Sequence, residues 1–515
     1  MVRTKDKGIA EKDKYATWKQ NLPIMYDWIM NHNRGWPSQS CRWGEAIEDF
    51  KYKKRQYLYL SDRVDPDGAD PNKLSVWTVD ITKPRTAPAE SLKYDEKAKS
   101  QNIKPYSTII HPGEVNKIRE CPLHPHIVVT HTDAKELYVW DIEKQPNRAT
   151  DKGEQLQQLS IPDLILGGHE AVAAFALGMS SAAPLVASGG TDQKVLIWNL
   201  EDHEGGAWLS ASKNKDESRG PAKYKYPAPR LEPRFKLQGH TATIEDVVWR
   251  PGSRDELASV GDDYKLLLWD SRLPSARPAA AVENAHGETD VQCVDWSTLQ
   301  QELLVTGAAD GSVKVWDTRH LKDAVHTFKL HDSAIMRVEW APYKKGVFAS
   351  GGEDKLIAVW DLERSERAAG AGAEESGPEA KRARTNGSGS GLPSQLMFRH
   401  AGHRSEVVDF QWHPTDPYTM VSVSDAGAGG TLQVWRISDL IWRPIDEVLK
   451  DLEEHRDFIL GVQEEGKSAA GAESKQEQAG ATISVPPAPE GASQKEAATT
   501  LAAAAENGAQ PMDES

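Results

Sequence analysis

Seven times the chain rises into a short apolar run that stops on tryptophan: LSVW at Trp77, LYVW at Trp140, VLIW at Trp198, LLLW at Trp269, VKVW at Trp316, IAVW at Trp360 and LQVW at Trp435. Runs this short predict strands rather than helices. Asp or Asn follows five of them, at Asp141, Asn199, Asp270, Asp317 and Asp361. Upstream stand His111, His169, His240, His286, His331 and His403, and 22 to 24 residues behind each comes an aspartate: Asp133, Asp192, Asp263, Asp310, Asp354 and Asp425. A unit of about 40 to 50 residues repeated in this way predicts an all-β fold, a seven-bladed WD40 β-propeller with an N-terminal α-helix and a short C-terminal helix.

The spacing has a physical reading. In a four-stranded antiparallel blade the histidine lies in the loop leading in, and the aspartate lies in a tight turn between the middle strands. Imidazole, carboxylate, a strand hydroxyl (Ser188, Ser259, Thr306 or Ser350) and the indole N–H then form one buried chain of hydrogen bonds. His169 with Asp192, His240 with Asp263, His286 with Asp310 and His331 with Asp354 are the expected structural networks. Ser, His and Asp also make catalytic triads, but a triad needs one activated nucleophile beside an oxyanion site, and copies in register suit a scaffold. The glycine strings SGGTD (Ser188 to Asp192), SGGED (Ser350 to Asp354) and DAGAGG (Asp425 to Gly430) lack the GK[ST] of a phosphate loop and fall in blade turns. With no HExxH, no GxSxG and no clustered metal-ligand spacing, the expectation is a non-enzyme without catalytic residues, metal or cofactor.

The ends and interruptions of the repeat carry the rest. Residues 1–13 are expected to be flexible. Tyr15, Trp18, Leu22, Met25 and Ile29, three or four apart, predict a helix over residues 14–35 packed on the propeller flank, with Pro23 kinking or restarting it. WPSQSCRW, Trp36 to Trp43, alternates like an edge strand able to close the ring against the last blade. The propeller then fills residues 36–445. Trp269 to Trp316 spans 47 residues and Trp316 to Trp360 spans 44, but Trp198 to Trp269 spans 71 and Trp360 to Trp435 spans 75. The excess places loop insertions at 201–234 and 363–395, the second largely disordered. Inside it KRAR, Lys381 to Arg384, fits a short nuclear-import signal. Residues 446–460 read as a helix through Val448, Leu449, Leu452 and Phe458, and 461–515 as a disordered acidic tail.

A formal net charge of −15 argues against general nucleic-acid binding and favours basic partners. Cys41, Cys121 and Cys293 are odd in number and far apart, so neither a disulfide framework nor a zinc site is expected. A charged N-terminus and the lack of an apolar run near 18 residues predict a soluble intracellular protein with no membrane partner.

Acids and amides follow several blade histidines: Glu114 and Asn116, Glu245 and Asp246, Asp290 and Gln292, Glu406 and Asp409. Converging carboxylates and carboxamides suit a Lys- or Arg-bearing peptide, although an ordinary hydrated rim has the same composition. WDSR, ending at Arg272, and WDTR, ending at Arg319, resemble the WDxR box with which some propellers dock on the adaptor of cullin-RING ubiquitin ligases. A substrate receptor of such a ligase is therefore the alternative function.

YATWKQNLPIMYDWIMNHNRGWPSQSCRW, joined to seven WD-type units with GEVN at Gly113 to Asn116 and HTATIEDVVW at His240 to Trp249, resembles the retinoblastoma-binding, histone-binding WD40 family from about Lys14 to Leu460. FRHAGHR at Phe398 to Arg404, VVDFQW at Val407 to Trp412 and the glycine insertion before TLQVWRISDLIWRP look like its plant FVE-type branch. The resemblance implies a nuclear scaffold that binds core histones and joins histone deacetylase and Polycomb-type complexes in transcriptional repression, without sequence-specific nucleic-acid binding. It implies a groove for a histone helix formed by Met25, Trp28 and Ile29 against Leu396, Met397 and Phe398, with acids from Glu374 and Glu375. It also implies a histone-tail site at the channel face using Glu114, Asn116, Glu245, Asp246, Asp290, Gln292 and Glu406. The chain departs from the family in its basic KRAR within the expected acidic loop. Val172 and Ala334 are apolar where the chromatin-assembly branch carries acids, and Glu406 is acidic where that branch carries lysine.

Overall fold

Apolar runs such as LLLW form central strands because each blade is packed on both faces by its neighbours, which removes the alternation seen in a half-exposed sheet. The computed structural model describes residues 15–456 apart from 52, 65–69, 84–93, 95–98, 149–158, 173–174, 210–227, 274–276, 365–391, 426–428 and 455. Its strands form seven sheets, six of four strands and one of five. In each blade we letter the strands a to d from the channel outwards. The inner strands are Cys41–Asp49, Val115–Cys121, Leu177–Met179, Ile244–Trp249, Val291–Trp296, Ile335–Trp340 and Glu406–Trp412, for blades 1 to 7. Every tryptophan of the repeat lies on strand c; in blade 4 strand c is Leu266–Asp270 and pairs Leu257 of strand b with Trp269.

The apolar core is not one mass but seven layers, each between adjacent blades. Val195, Ile197 and Leu237 of blade 3 pack with Ile244, Leu257 and Trp269 of blade 4, for example. The glycines that end strand b are needed for close approach rather than for turn geometry: a Cβ on Gly352 would lie 2.2 Å from the Ala334 carbonyl oxygen. The left-handed residue of that turn comes just after the aspartate, at Gln193, Tyr264, Gly311 and Lys355.

The N-terminal segment departs from its expected form. Residues 15–20 and Leu22–Met25 are helical, interrupted at Asn21 ahead of Pro23, but Tyr26–Arg34 is a strand. It pairs antiparallel with strand c of blade 7, Gly430–Ile437, from Tyr26 opposite Ile437 to Arg34 opposite Gly430. It therefore serves as strand d of blade 7 and closes the ring. Cys41–Asp49, part of the segment expected to close it, is instead the inner strand of blade 1. The apolar stripe misleads because both faces of this strand are buried. Tyr26 and Ile29 enter the layer between blades 6 and 7, while Trp28 and Met30 enter the layer between blades 7 and 1.

The insertion after blade 3 is not wholly loop. Leu200–Asp202 and Glu204–Leu209 form short 3-10 helices, and Arg230–Leu231 adds a fifth strand to blade 2, parallel to Leu164–Leu166. At the other end Asp439–Trp442 and Ile445–Glu454 are helices, the second beginning one residue before its expected start. The KRAR segment and the tail beyond residue 456 lie outside the described residues.

Because Trp28 is only 2% exposed, Trp28→Ala is expected to cost about 3–5 kcal/mol in urea unfolding. Half-buried Met25→Ala is expected to cost about 1 kcal/mol. Equal small losses at both positions would contradict a strand buried on both faces.

Candidate peptide-binding site at the channel mouth

The repeated histidines sit beneath the face on which the inner strands begin. The full expected network forms in blades 4 and 6. His240 Nδ1 is 2.9 Å from Asp263, and its Nε2 is 2.7 Å from Ser259 Oγ, which also accepts the Trp269 indole N–H at 2.8 Å. His331 repeats this with Asp354, Ser350 and Trp360 at 2.8, 2.8 and 2.9 Å. The others vary. His169 reaches Asp192 at 2.9 Å, but the Trp198 indole donates to the Gly167 carbonyl instead of to Ser188. In blade 5 the contact between His286 and Asp310 is indirect: His286 Nδ1 meets Ser312 Oγ at 2.7 Å, and Ser312 donates to Asp310.

The carboxylates of the network are held ionised. Burial pushes Asp263 up, but the His240 hydrogen bond and charge, with amides from Thr241 and Lys265, outweigh it and hold the carboxyl below its ordinary range.

The expected rim residues separate into three groups. Glu245, half-buried in strand a of blade 4, and Asp290, half-buried just before strand a of blade 5, reach the mouth together with Gln292. Asp262, in the turn after strand b of blade 4, joins them. Burial first, then the charges of Asp262, Asp246 and Asp290, push the Glu245 carboxyl up to about 7 against the pull of Lys117. Burial and Asp290 raise Asp262 as well, against a hydrogen bond from Thr243. Among the described residues, no lysine or arginine forms an ion pair with these three acids. Glu406 is exposed at the start of blade 7 and Asn116 is buried in blade 2.

Asp246 is not part of the open rim. It is 2% exposed, and its Oδ2 accepts the Val294 amide of blade 5 at 3.1 Å. Asp409 does the same between blades 7 and 1, accepting the Cys41 amide at 3.1 Å and the Ser40 hydroxyl at 2.7 Å. Both acids belong to a buried ionic layer with Arg337. Glu114 is already paired, 2.8 Å from Arg63. Sequence reasoning misses Asp262, Arg63 and Phe175, which stands 44% exposed before strand a of blade 3. Asp262 has a signal, since it precedes the repeat aspartate Asp263; Arg63 has none, because blade 1 lacks the repeat's histidine.

The groove expected at the flank is smaller than its residue set. Trp28 and Ile29 are core, and Phe398 is buried with its ring 5.3 Å from Tyr26 and 5.9 Å from Trp435. Leu396 packs toward the layer between blades 5 and 6, facing away. Met25, Met397 and Tyr15 remain half-buried on the shared face. Glu374 and Glu375 lie outside the described residues.

Strand c runs away from the mouth, so Arg272 and Arg319 emerge on the opposite face. They are 63% and 66% exposed, and each folds back on its own aspartate, Asp270 at 2.7 Å and Asp317 at 2.6 Å. The WDxR arginines thus cap their own turns, and nothing in the arrangement supports adaptor docking.

Three comparisons bear on this surface. Residues 13–83 match the family described as histone-binding protein RBBP4 or the corresponding component of the CAF1 complex. WD-domain, G-beta repeats match at 161–199, 231–270, 280–317 and 322–361, which are blades 3 to 6. The chain is 43% identical over 460 residues, 87% of its length, to the WD-40 repeat-containing protein MSI4 of Arabidopsis thaliana, covering 86% of that protein.

Burial holds His111, His286 and His403 down to about 3. Each stays neutral in the folded chain but takes a proton near pH 6.5 when unfolded. The stability each contributes is therefore complete above pH 6.5 and is lost as pH falls toward 3. From pH 7 to pH 5 each is expected to withdraw about 2 kcal/mol, so melting temperatures should drop steeply over that range. His403→Gln should flatten the slope by one proton, and an unchanged slope would refute the assignment.

Proposed function

The chain belongs to the RBBP4-type histone-binding WD40 family, in the branch of MSI4, and on that premise we propose that it is a non-catalytic nuclear scaffold that captures basic histone tails at its channel mouth. The observation that carries the reading is the group of Glu245, Asp262 and Asp290. Three carboxylates press on one another with no cation of the described chain between them, and Glu245 is pushed up to about 7 as a result. A lysine or arginine from a partner relieves that repulsion and gains charge-assisted hydrogen bonds. Gln292 orients the same side chain, and exposed Phe175 offers an apolar surface beside it.

A second contact, for a histone helix, fits the half-buried face formed by Tyr15, Met25 and Met397. The match of the histone-binding family to residues 13–83 supports this placement. With two surfaces engaged by histones, the propeller has the form of an adaptor that brings histone deacetylase and Polycomb-type enzymes to nucleosomes in repression. Family membership supports that assignment, and affinity purification from nuclei identifies the complex.

Titration calorimetry with a peptide from the amino-terminal tail of the third core histone tests the mouth directly. Glu245→Lys with Asp290→Lys is expected to lower affinity by at least about a hundredfold, since two attractions become repulsions. Unchanged binding would overturn the assignment. A docked cation favours the ionised form of Glu245, so binding releases a proton near pH 7 and affinity should rise from pH 6 to pH 8. Equal heats in buffers of different ionisation enthalpy would contradict this.

A further inference from the structure

The other side of the mouth already holds a cation, supplied by the chain itself. Arg63 follows strand b of blade 1 and stands in the turn facing the mouth. Its Nε lies 2.8 Å from Glu114 Oε1 of blade 2, and its Nη1 lies 3.4 Å from Asp425 Oδ2 of blade 7. One guanidinium thus bridges carboxylates from two other blades, the arrangement that an incoming peptide arginine would make. Its backbone is fixed by an amide bond to the Pro37 carbonyl at 2.9 Å, and Asp425 is further held by Gln39 Nε2 at 3.1 Å. The guanidinium is also 50% exposed, so solvent screens the pair and leaves it exchangeable. Across the ring, Glu245, Asp262 and Asp290 have no such partner among the described residues.

We propose that Arg63 is a resident substitute for a ligand cation. It fills the anionic position shared by blades 1, 2 and 7, and leaves only the side formed by blades 4 and 5 open. The mouth then selects ligands that deliver a single cation to Glu245 and discriminates against tails that need a second anionic position. This rests on the peptide-binding reading above, and adds to it the residue that sets how many basic groups the site accepts.

The test compares two synthetic peptides by calorimetry with the full chain, one bearing a single arginine and one bearing two spaced to span the mouth. Arg63→Gln is expected to raise affinity for the two-arginine peptide about threefold to tenfold, and to leave the one-arginine peptide unchanged. The gain should vanish in Arg63→Gln with Glu114→Gln. Lys135→Gln removes an exposed charge from the neighbouring blade 2 turn without uncovering Glu114, and should give no gain. In the otherwise unaltered chain, Glu245→Gln should cost about tenfold, while Glu114→Gln should cost less than about twofold. The proposal is overturned if Arg63→Gln binds the two-arginine peptide no better, if Lys135→Gln gives the same gain, or if Glu114→Gln costs as much as Glu245→Gln. Binding of the two-arginine peptide by Arg63→Gln alone, with none by the unaltered chain, would sustain the role of Arg63 and sink the tail-capture reading. Absence of binding in both proteins would sink both.

Discussion

Ring closure is the constraint on which the rest of this structure depends. Tyr26–Arg34 pairs with Gly430–Ile437, bringing together residues about 400 positions apart. Each of the seven apolar layers lies between two blades, so no layer is complete until its second blade is present. The last two share this one strand: Tyr26 and Ile29 finish the layer between blades 6 and 7, and Trp28 and Met30 finish that between blades 7 and 1. Closure also removes the exposed sheet edges that an open array would present. The N-terminal segment is thus a part of the propeller as much as an attachment to it, and its helical residues are positioned by the strand that follows.

The inner strands add a second level of closure. An acid or amide on one inner strand accepts a backbone amide of the next: Asp295 takes that of Trp340, Glu339 that of Trp412, and Gln411 that of Trp43. Arg42 and Arg337 stand among these groups, with Arg42 gripping Glu120 through two bonds of 2.9 Å. Burial pushes Glu339 up to about 7 and Asp295 to about 6, while the nearby arginines oppose the rise. Charges deep in the channel therefore answer to one another and to the backbone. What remains for a ligand lies in the turns at the mouth, where strand geometry no longer dictates the partner.

This division explains what can be read from the sequence. The tryptophans, histidines and aspartates of the repeat are legible because one geometry is imposed on many blades, and blades 4 and 6 obey it in full. Their variants are set by neighbours that the spacing does not reveal, as when Ser312 comes between His286 and Asp310. Tyr26–Arg34 reads as helix because burial on two faces erases the period-2 pattern and leaves an apolar density that continues the helical stripe before it. Asp246 and Glu245 are adjacent acids with the same apparent promise. Strand alternation sends one into the ionic layer and leaves the other at the mouth, a difference that appears only once the register is known.

The flank groove shows how the fold and its insertions divide a binding site between them. Tyr26 OH lies 2.7 Å from His400 Nδ1 and accepts the Trp18 indole N–H at 3.1 Å. His400 in turn stacks on Trp435 at 4.3 Å and meets Gln433 at 2.9 Å. This buried chain fixes the start of the closing strand to the end of strand d of blade 6, and so sets the separation of the two walls. Met25 and Met397 border the groove as a consequence, and its apolar floor is a product of ring closure. Its charge is not. Arg364, donating to the Leu396 and Met397 carbonyls at 3.3 Å each, stands where the blade 6 insertion departs, and that insertion can change composition without disturbing any blade. Shape at this surface is therefore tied to the fold, whereas selectivity among basic helices is free to diverge.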